Sequence, residues 1–218
     1  MKVYFISGLG ADSRVFKHIR LPSGCEKIYL EWIQPIKNES LGSYALRLAK
    51  DIDTNERFAL IGLSMGGMIA SEISKTYSPV TTILLSSVPT SRQLPGHFKI
   101  AYALNLHRLI PMKLIKSVTI LKRLFTAEDP ADKIILRQVI RDSDPIFIRW
   151  AMGAILQWDN DKMPFPLWQI HGTKDEIIPL RYTKPTHTIP KGTHMMVMTK
   201  AKELNKILEE ALGSDEFK

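Results

Sequence analysis

Phe58-Ala59-Leu60-Ile61-Gly62-Leu63-Ser64-Met65-Gly66-Gly67 sets a serine between two glycines at the end of an apolar run. A serine on a tight strand-to-helix turn takes a strained backbone conformation. The residues two positions either side then approach so closely that a side chain larger than hydrogen clashes. Gly62 and Gly66 meet that demand. Upstream, Phe58 to Ile61 read as a short buried strand. Downstream, Met68, Ile69 and Ile73 with the intervening Ala70, Glu72 and Lys75 read as an amphipathic helix. The segment predicts a strand, a sharp turn that presents Ser64 as a nucleophile, and a helix.

Working outward, strand-like runs alternate with helical patterns, which is the signature of a parallel sheet with crossover helices. The predicted strands are Lys2 to Ser7, Lys27 to Ile33, Phe58 to Leu63, Thr81 to Ser87, Leu167 to His171 and Thr186 to Ile189. Helices are expected over Ser13 to Ile19, Leu41 to Ile52, Met65 to Tyr77 and Ala201 to Leu212, with Ser40 as the N-cap of the second. Between Pro89 and Lys162 the alternation stops. Apolar residues recur there at helical spacing, as in Leu104, Ile110, Leu114, Val118 and Leu121, punctuated by Pro95, Pro111, Pro130 and Pro145. This pattern suits a helical lid, residues 91–160, inserted into a core formed by residues 1–90 and 161–218. The last residues, Gly213 to Lys218, read as frayed.

Composition narrows the class. A chain of 218 residues with 44% hydrophobic and 24% charged content suits one soluble globular core. Met1 to Gly10 holds too short an apolar run for a signal peptide, and no later stretch reaches membrane-spanning length without charge. A single cysteine, Cys25, excludes an internal disulfide and fits the cytoplasm. No His or Cys spacing resembles a metal site. The net charge of +8 is concentrated between Ser91 and Ala127, where Arg92, Lys99, Arg108, Lys113, Lys116, Lys122 and Arg123 occur without an acid. A solvated helix face, attraction of an anionic substrate and contact with an acidic membrane surface all suit that run. Nucleic-acid binding does not, because no recognition motif accompanies it.

A serine hydroxyl is a poor nucleophile at neutral pH and needs a histidine base oriented by an acid. His171-Gly172-Thr173-Lys174-Asp175 places an aspartate just after a predicted strand, and Lys191-Gly192-Thr193-His194 places a histidine after the next. His187 falls inside a strand, His171 supports the loop that carries the acid, and Asp12 and Asp161 read as turn formers. His97 and His107 lie in the lid. Trp150 and Trp158, with Met152 and Leu156, fall on a helix leading back to the core, where Trp158 is a candidate for the pocket wall.

The order Ser64, Asp175, His194, with the glycine-flanked serine, the H-G-x-x-D segment and the G-x-H segment, resembles the α/β-hydrolase superfamily, in particular its small lid-bearing serine esterases. The resemblance implies a mostly parallel sheet of about six strands, lacking the two N-terminal edge strands of the full family sheet. It also implies a Ser64–His194–Asp175 triad that works without a cofactor. The oxyanion hole would be formed by the N–H groups of Met65 and of Leu9, the latter in the Ser7-Gly8-Leu9-Gly10 loop. Most relatives carry histidine before that glycine, where this chain has Ser7. The implied reaction is cleavage of a carboxylic ester or related small acyl compound, apolar or anionic. Thioester or carbon–carbon bond hydrolysis on the same triad, and a ligand-binding protein with a weakly active pocket, are the alternatives. The oligomeric state is not legible.

Overall fold

The computed structural model describes residues 1–96, 98 and 129–213. Six strands, β1 (Lys2–Ile6), β2 (Glu26–Tyr29), β3 (Phe58–Leu63), β4 (Thr82–Leu85), β5 (Leu167–Gly172) and β6 (His187–Ile189), form one sheet in the order β2-β1-β3-β4-β5-β6. Every pairing is parallel. The helices are α1 (Leu41–Leu48), α2 (Met65–Ile73), α3 (Pro130–Asp142), α4 (Pro145–Gln157), α5 (Met196–Thr199) and α6 (Ala201–Gly213).

A parallel sheet covered on both faces needs apolar side chains on both, because successive residues of a strand point to opposite sides. Val3, Phe5, Ile61, Ile83 and Leu85 enter one core, which also holds Leu136 and Val139 of α3 and Leu204 and Leu208 of α6. Tyr4, Ile6, Leu60 and Leu84 enter the other, with Leu41 and Tyr44 of α1, Met68 and Ile69 of α2 and Phe147 and Ala151 of α4. β3 is buried at all six positions, as its uninterrupted apolar run requires.

The register decides where chemistry gathers. Ile6 pairs with Gly62, Leu63 with Leu85, and Gly172 with Ile189. The segments that leave the C-terminal ends of β1, β3, β5 and β6 therefore emerge at one end of the sheet. That end is where open α/β sheets form their crevice.

Several elements differ from the sequence expectation: β2 stops at Tyr29 rather than Ile33, α1 at Leu48 rather than Ile52 and α2 at Ile73 rather than Tyr77. Ser13–Phe16 is a short 3-10 turn rather than the start of a helix reaching Ile19. Phe16 and Ile19 are both buried, and their three-residue spacing matches the tighter turn, as does the Ile19 N–H to Phe16 carbonyl bond of 2.9 Å. α2 is not amphipathic, since every residue from Met65 to Ile73 is buried. Glu72 is accommodated because Trp158 Nε1 donates to it at 2.8 Å and Lys75 pairs with it. Gly42 of α1 leaves the room, since a Cβ there would stand 2.8 Å from Glu72 Oε2.

Between β4 and β5 the described residues form α3 and α4, each opened by an Asp-Pro pair. Asp129 and Asp144 accept from the second helical N–H, and Pro130 and Pro145 occupy the first position, where a missing N–H costs nothing. The apolar run from Leu104 to Leu121, His97, His107 and the basic residues from Lys99 to Arg123 lie outside the described residues, as does the segment 214–218. Among the described residues no helix is long and apolar enough to cross a membrane, and no cluster of ligands suits a metal ion.

α3 is pinned to the turn after β1. Its Asp132 is 4% exposed and accepts from Lys17 Nζ at 2.6 Å and His18 Nε2 at 3.0 Å. At its other end Arg14 bridges Asp142 at 2.8 Å and Asp12 at 2.6 Å. Burial pushes the Asp132 carboxyl up, but Lys17 and His18 outweigh it and hold the group below the usual carboxylate range. A depressed acid stabilises the fold above its unfolded pKa, and that contribution is lost as pH falls through the lower folded value. Asp132→Asn is therefore expected to cost about 1 kcal/mol at pH 7, a modest figure because both partners are partly exposed. Urea titrations should show that difference shrinking as pH falls below about 4.

Candidate active site

β3 ends at Leu63, and the chain turns at Ser64 with φ 52° and ψ −119°. Left-handed φ in a residue with a Cβ costs on the order of 1–3 kcal/mol and persists only where the surroundings enforce it. They do so here by close backbone approach. A Cβ on Gly62 would collide with the Gly66 carbonyl oxygen and the Gly67 backbone, and one on Gly66 would collide with the Ile6 and Ser7 carbonyls. Ser64 N–H continues the sheet by donating to the Leu85 carbonyl at 2.9 Å. The hydroxyl is thus left to point away from the strand.

Asp175 follows β5 and His194 follows β6, and the two loops are stitched together. Lys174 N–H donates to the Gly192 carbonyl at 2.8 Å, Thr173 N–H to the Ile189 carbonyl at 3.0 Å, and Lys191 N–H to Thr173 Oγ1 at 2.8 Å. Gly172 and Gly192 lie against each other with no space for a Cβ on Gly172. Met195, Met196 and Val197, buried directly after His194, anchor the second loop in the core.

The structure brings the three predicted residues into one hydrogen-bonded chain. Ser64 Oγ lies 2.9 Å from His194 Nε2, and His194 Nδ1 lies 2.8 Å from Asp175 Oδ2. A carboxylate accepts only, so Nδ1 carries the proton and Nε2 offers its lone pair to the serine hydroxyl. Asp175 Oδ1 accepts from Ile177 N–H and Ile178 N–H, each at 2.9 Å. Burial pushes the Asp175 carboxyl up, but the charge and hydrogen bond of His194 and the Ile178 N–H outweigh it and keep the group below the usual carboxylate range. An arrangement of this kind can draw a proton from a serine hydroxyl while the acid stays ionised.

His171 sits behind the acid, fully buried. Its Nε2 donates to the Ile178 carbonyl at 2.7 Å and lies 3.3 Å from Asp175 Oδ2. Burial pulls its pKa below the ordinary range, so it is a neutral support of the acid loop. His187 starts β6 and stacks on Trp168, with ring centroids 4.8 Å apart. Asp12 caps the turn at Ser13 and binds Arg14. Trp158 is 7% exposed, with its indole N–H committed to Glu72, and packs in the apolar cluster that includes Met65 and Leu94.

The loop after β1 reaches the serine closely: a Cβ on Gly8 would stand 3.3 Å from Ser64 Cβ. Sequence reasoning missed what shapes this loop. Ser7 Oγ donates to the Ala11 carbonyl at 2.9 Å, and Trp32 Nε1 donates to the same carbonyl at 2.7 Å. Ala11 N–H closes the turn onto the Gly8 carbonyl at 2.9 Å, and Gly10 takes φ 68°. Trp32 is itself packed on Phe147 of α4, with centroids 4.9 Å apart. Ser7 and Trp32 therefore hold together the turn that carries Leu9.

Against solved structures, the chain superposes on an esterase from Exiguobacterium antarcticum with a TM-score of 0.77 over 98% of this chain and 92% of that one, at 15% identity. It superposes on the enol-lactonase from Burkholderia xenovorans LB400 with a TM-score of 0.74 over 98% and 91%, at 16% identity. The chain is an α/β-hydrolase in fold. In sequence the chain is 25% identical to the pimeloyl-[acyl-carrier protein] methyl ester esterase of Neisseria meningitidis serogroup A, over 92% of this chain and 70% of that protein. No family model matches it.

The doubly held Ala11 carbonyl gives a quantitative expectation. Ser7→Ala and Trp32→Phe each remove one donor and leave the other, at about 1 kcal/mol of stability each. The double variant strands the carbonyl without either donor. Its loss in denaturant titrations should exceed the sum of the two by about 1 kcal/mol or more.

Proposed function

We propose that this protein is a serine hydrolase that cleaves a carboxylic ester or related acyl compound through an acyl-enzyme. The observation that carries the reading is the hydrogen-bonded chain from Ser64 Oγ through His194 to Asp175, set on a strained backbone turn that close packing and glycine clearance hold in place. Ser64 Oγ attacks the carbonyl carbon while His194 Nε2 takes its proton. The N–H groups of Met65 and Leu9 receive the charge that develops on the carbonyl oxygen. His194 then protonates the departing alcohol, takes a proton from the water that attacks the acyl-enzyme, and returns it to Ser64 Oγ as the acyl–oxygen bond breaks and the acid leaves. Asp175 keeps the imidazole in the productive tautomer and offsets its transient charge. No step calls for a cofactor.

The substrate is a small acyl compound. The neighbouring proteins support an ester or lactone carbonyl as the reacting group, since they are named as esterases and an enol-lactonase. We assign residues 91–160 to a lid over the site and the remainder to the core. The apolar spacing of that segment favours an apolar acyl part, and its run of basic residues from Arg92 to Arg123 favours one that carries a negative charge. The single cysteine, Cys25, suits work in the cytoplasm.

The test is reaction with a fluorophosphonate probe, mapped by mass spectrometry. A single adduct is expected at Ser64 in the wild type, none in Ser64→Ala, and labelling slower by roughly 10³-fold or more in His194→Ala and Asp175→Asn. Hydrolysis of p-nitrophenyl esters should fall in parallel. An adduct at another residue, or undiminished labelling in His194→Ala, overturns the reading.

A further inference from the structure

The elbow holds a second device on the carbonyl of Ser64 rather than its hydroxyl. Ser87 Oγ donates to the Ser64 carbonyl oxygen at 2.6 Å. Ser87 lies just beyond β4, fully buried. Its own carbonyl accepts from Gln169 Nε2 of β5 at 2.9 Å, and the same amide donates to Gln93 Oε1 at 3.0 Å. The backbone that carries the hydroxyl is therefore held by a buried polar chain. Space for the hydroxyl is made in front by Gly67, where a Cβ would stand 2.5 Å from Ser87 Oγ and 2.6 Å from Ser87 Cβ. This is what the second glycine of the Gly66-Gly67 pair is for.

The Ser64 carbonyl does not need this donor to escape isolation. It already accepts from Gly67 N–H at 2.9 Å and, more weakly, from Met68 N–H at 3.4 Å. What the hydroxyl adds concerns the other end of the peptide. The Ser64–Met65 bond is trans, so its C=O and N–H lie in one plane and point in opposite directions. A group that holds the oxygen also aims the hydrogen. A hydrogen bond to the oxygen polarises the amide as well, which strengthens the N–H as a donor.

We propose that Ser87 is a positioning residue for the oxyanion hole: its hydroxyl, bound to the Ser64 carbonyl, aims and polarises the Ser64–Met65 peptide whose N–H receives the developing oxyanion. The proposal rests on the serine-hydrolase reading above. Ser87 never touches substrate, and it acts through a peptide that touches only the transition state strongly. Its loss should therefore lower kcat and leave KM nearly unchanged.

The experiment compares wild type, Ser87→Ala, Ser87→Cys and Ser64→Ala on a p-nitrophenyl ester, with inhibition by a trifluoromethyl ketone as a probe of oxyanion stabilisation and thermal melting as a control for folding. Ser87→Ala should lose roughly 10- to 100-fold in kcat, less than the 10²–10³ that removal of a direct donor costs. Ketone affinity should fall in proportion. Ser87→Cys, which keeps a weak donor, should fall between the two and serves the test should the alanine variant fail to fold. Unchanged kcat and ketone affinity in a folded Ser87 variant, with Ser64→Ala inactive, overturns this proposal alone. Wild-type turnover in Ser64→Ala overturns the serine-hydrolase reading and this proposal together.

Discussion

The structure depends on how closely backbone approaches backbone at Ser64. β3 must end, reverse and start α2 within one residue, and the only way to do this against the end of β1 is to place hydrogen where side chains normally stand. Gly62 lets the first turn of α2 fold back on β3, and Gly66 lets the turn press on the carbonyls of Ile6 and Ser7. Once those contacts form, φ at Ser64 has little freedom. The strain is sustained by the burial of β3, whose side chains enter both apolar cores, and of α2, whose side chains enter the core shared with α1 and α4.

The same end of the sheet then receives three further loops, and each is fixed by hydrogen bonds rather than by its own conformational preference. The loops that carry Asp175 and His194 are joined to each other by hydrogen bonds. The loop after β1 is closed on Ala11 by Ser7 and Trp32. Asp175 has acceptor capacity filled on both oxygens, which lets it stay ionised at 5% exposure. On the proposed reading these donors and acceptors are held in place before a substrate arrives, the condition under which dipoles stabilise developing charge without first having to reorganise.

Features with a steric or short-range signature were legible in the sequence. Glycines two residues either side of a serine record a clash that no other residue avoids, so the turn, the strand before it and the helix after it could be read directly. The order of Ser64, Asp175 and His194 followed from loops at strand ends, and Pro130 and Pro145 marked helix starts or breaks, although the aspartates that cap them were not read. Features resting on contacts between distant residues were not legible. Glu72 looked like part of a solvated face because nothing near it announces Trp158, which is 86 positions away. Ser7 looked like a departure from a pattern because its partner is a backbone carbonyl, which carries no residue type. Ser87 and Gln169 were read only as strand residues, although Gly67 beside Gly66 was a signal that something presses on the helix there.

A crystal structure of the protein after reaction with an alkyl fluorophosphonate tests the central claim most directly. Phosphorus bonded to Ser64 Oγ, with the phosphoryl oxygen about 2.7–3.1 Å from the N–H groups of both Met65 and Leu9, is the predicted result. A Ser64 adduct whose phosphoryl oxygen faces neither N–H group would contradict it, because the turn would then be aimed at something other than an oxyanion.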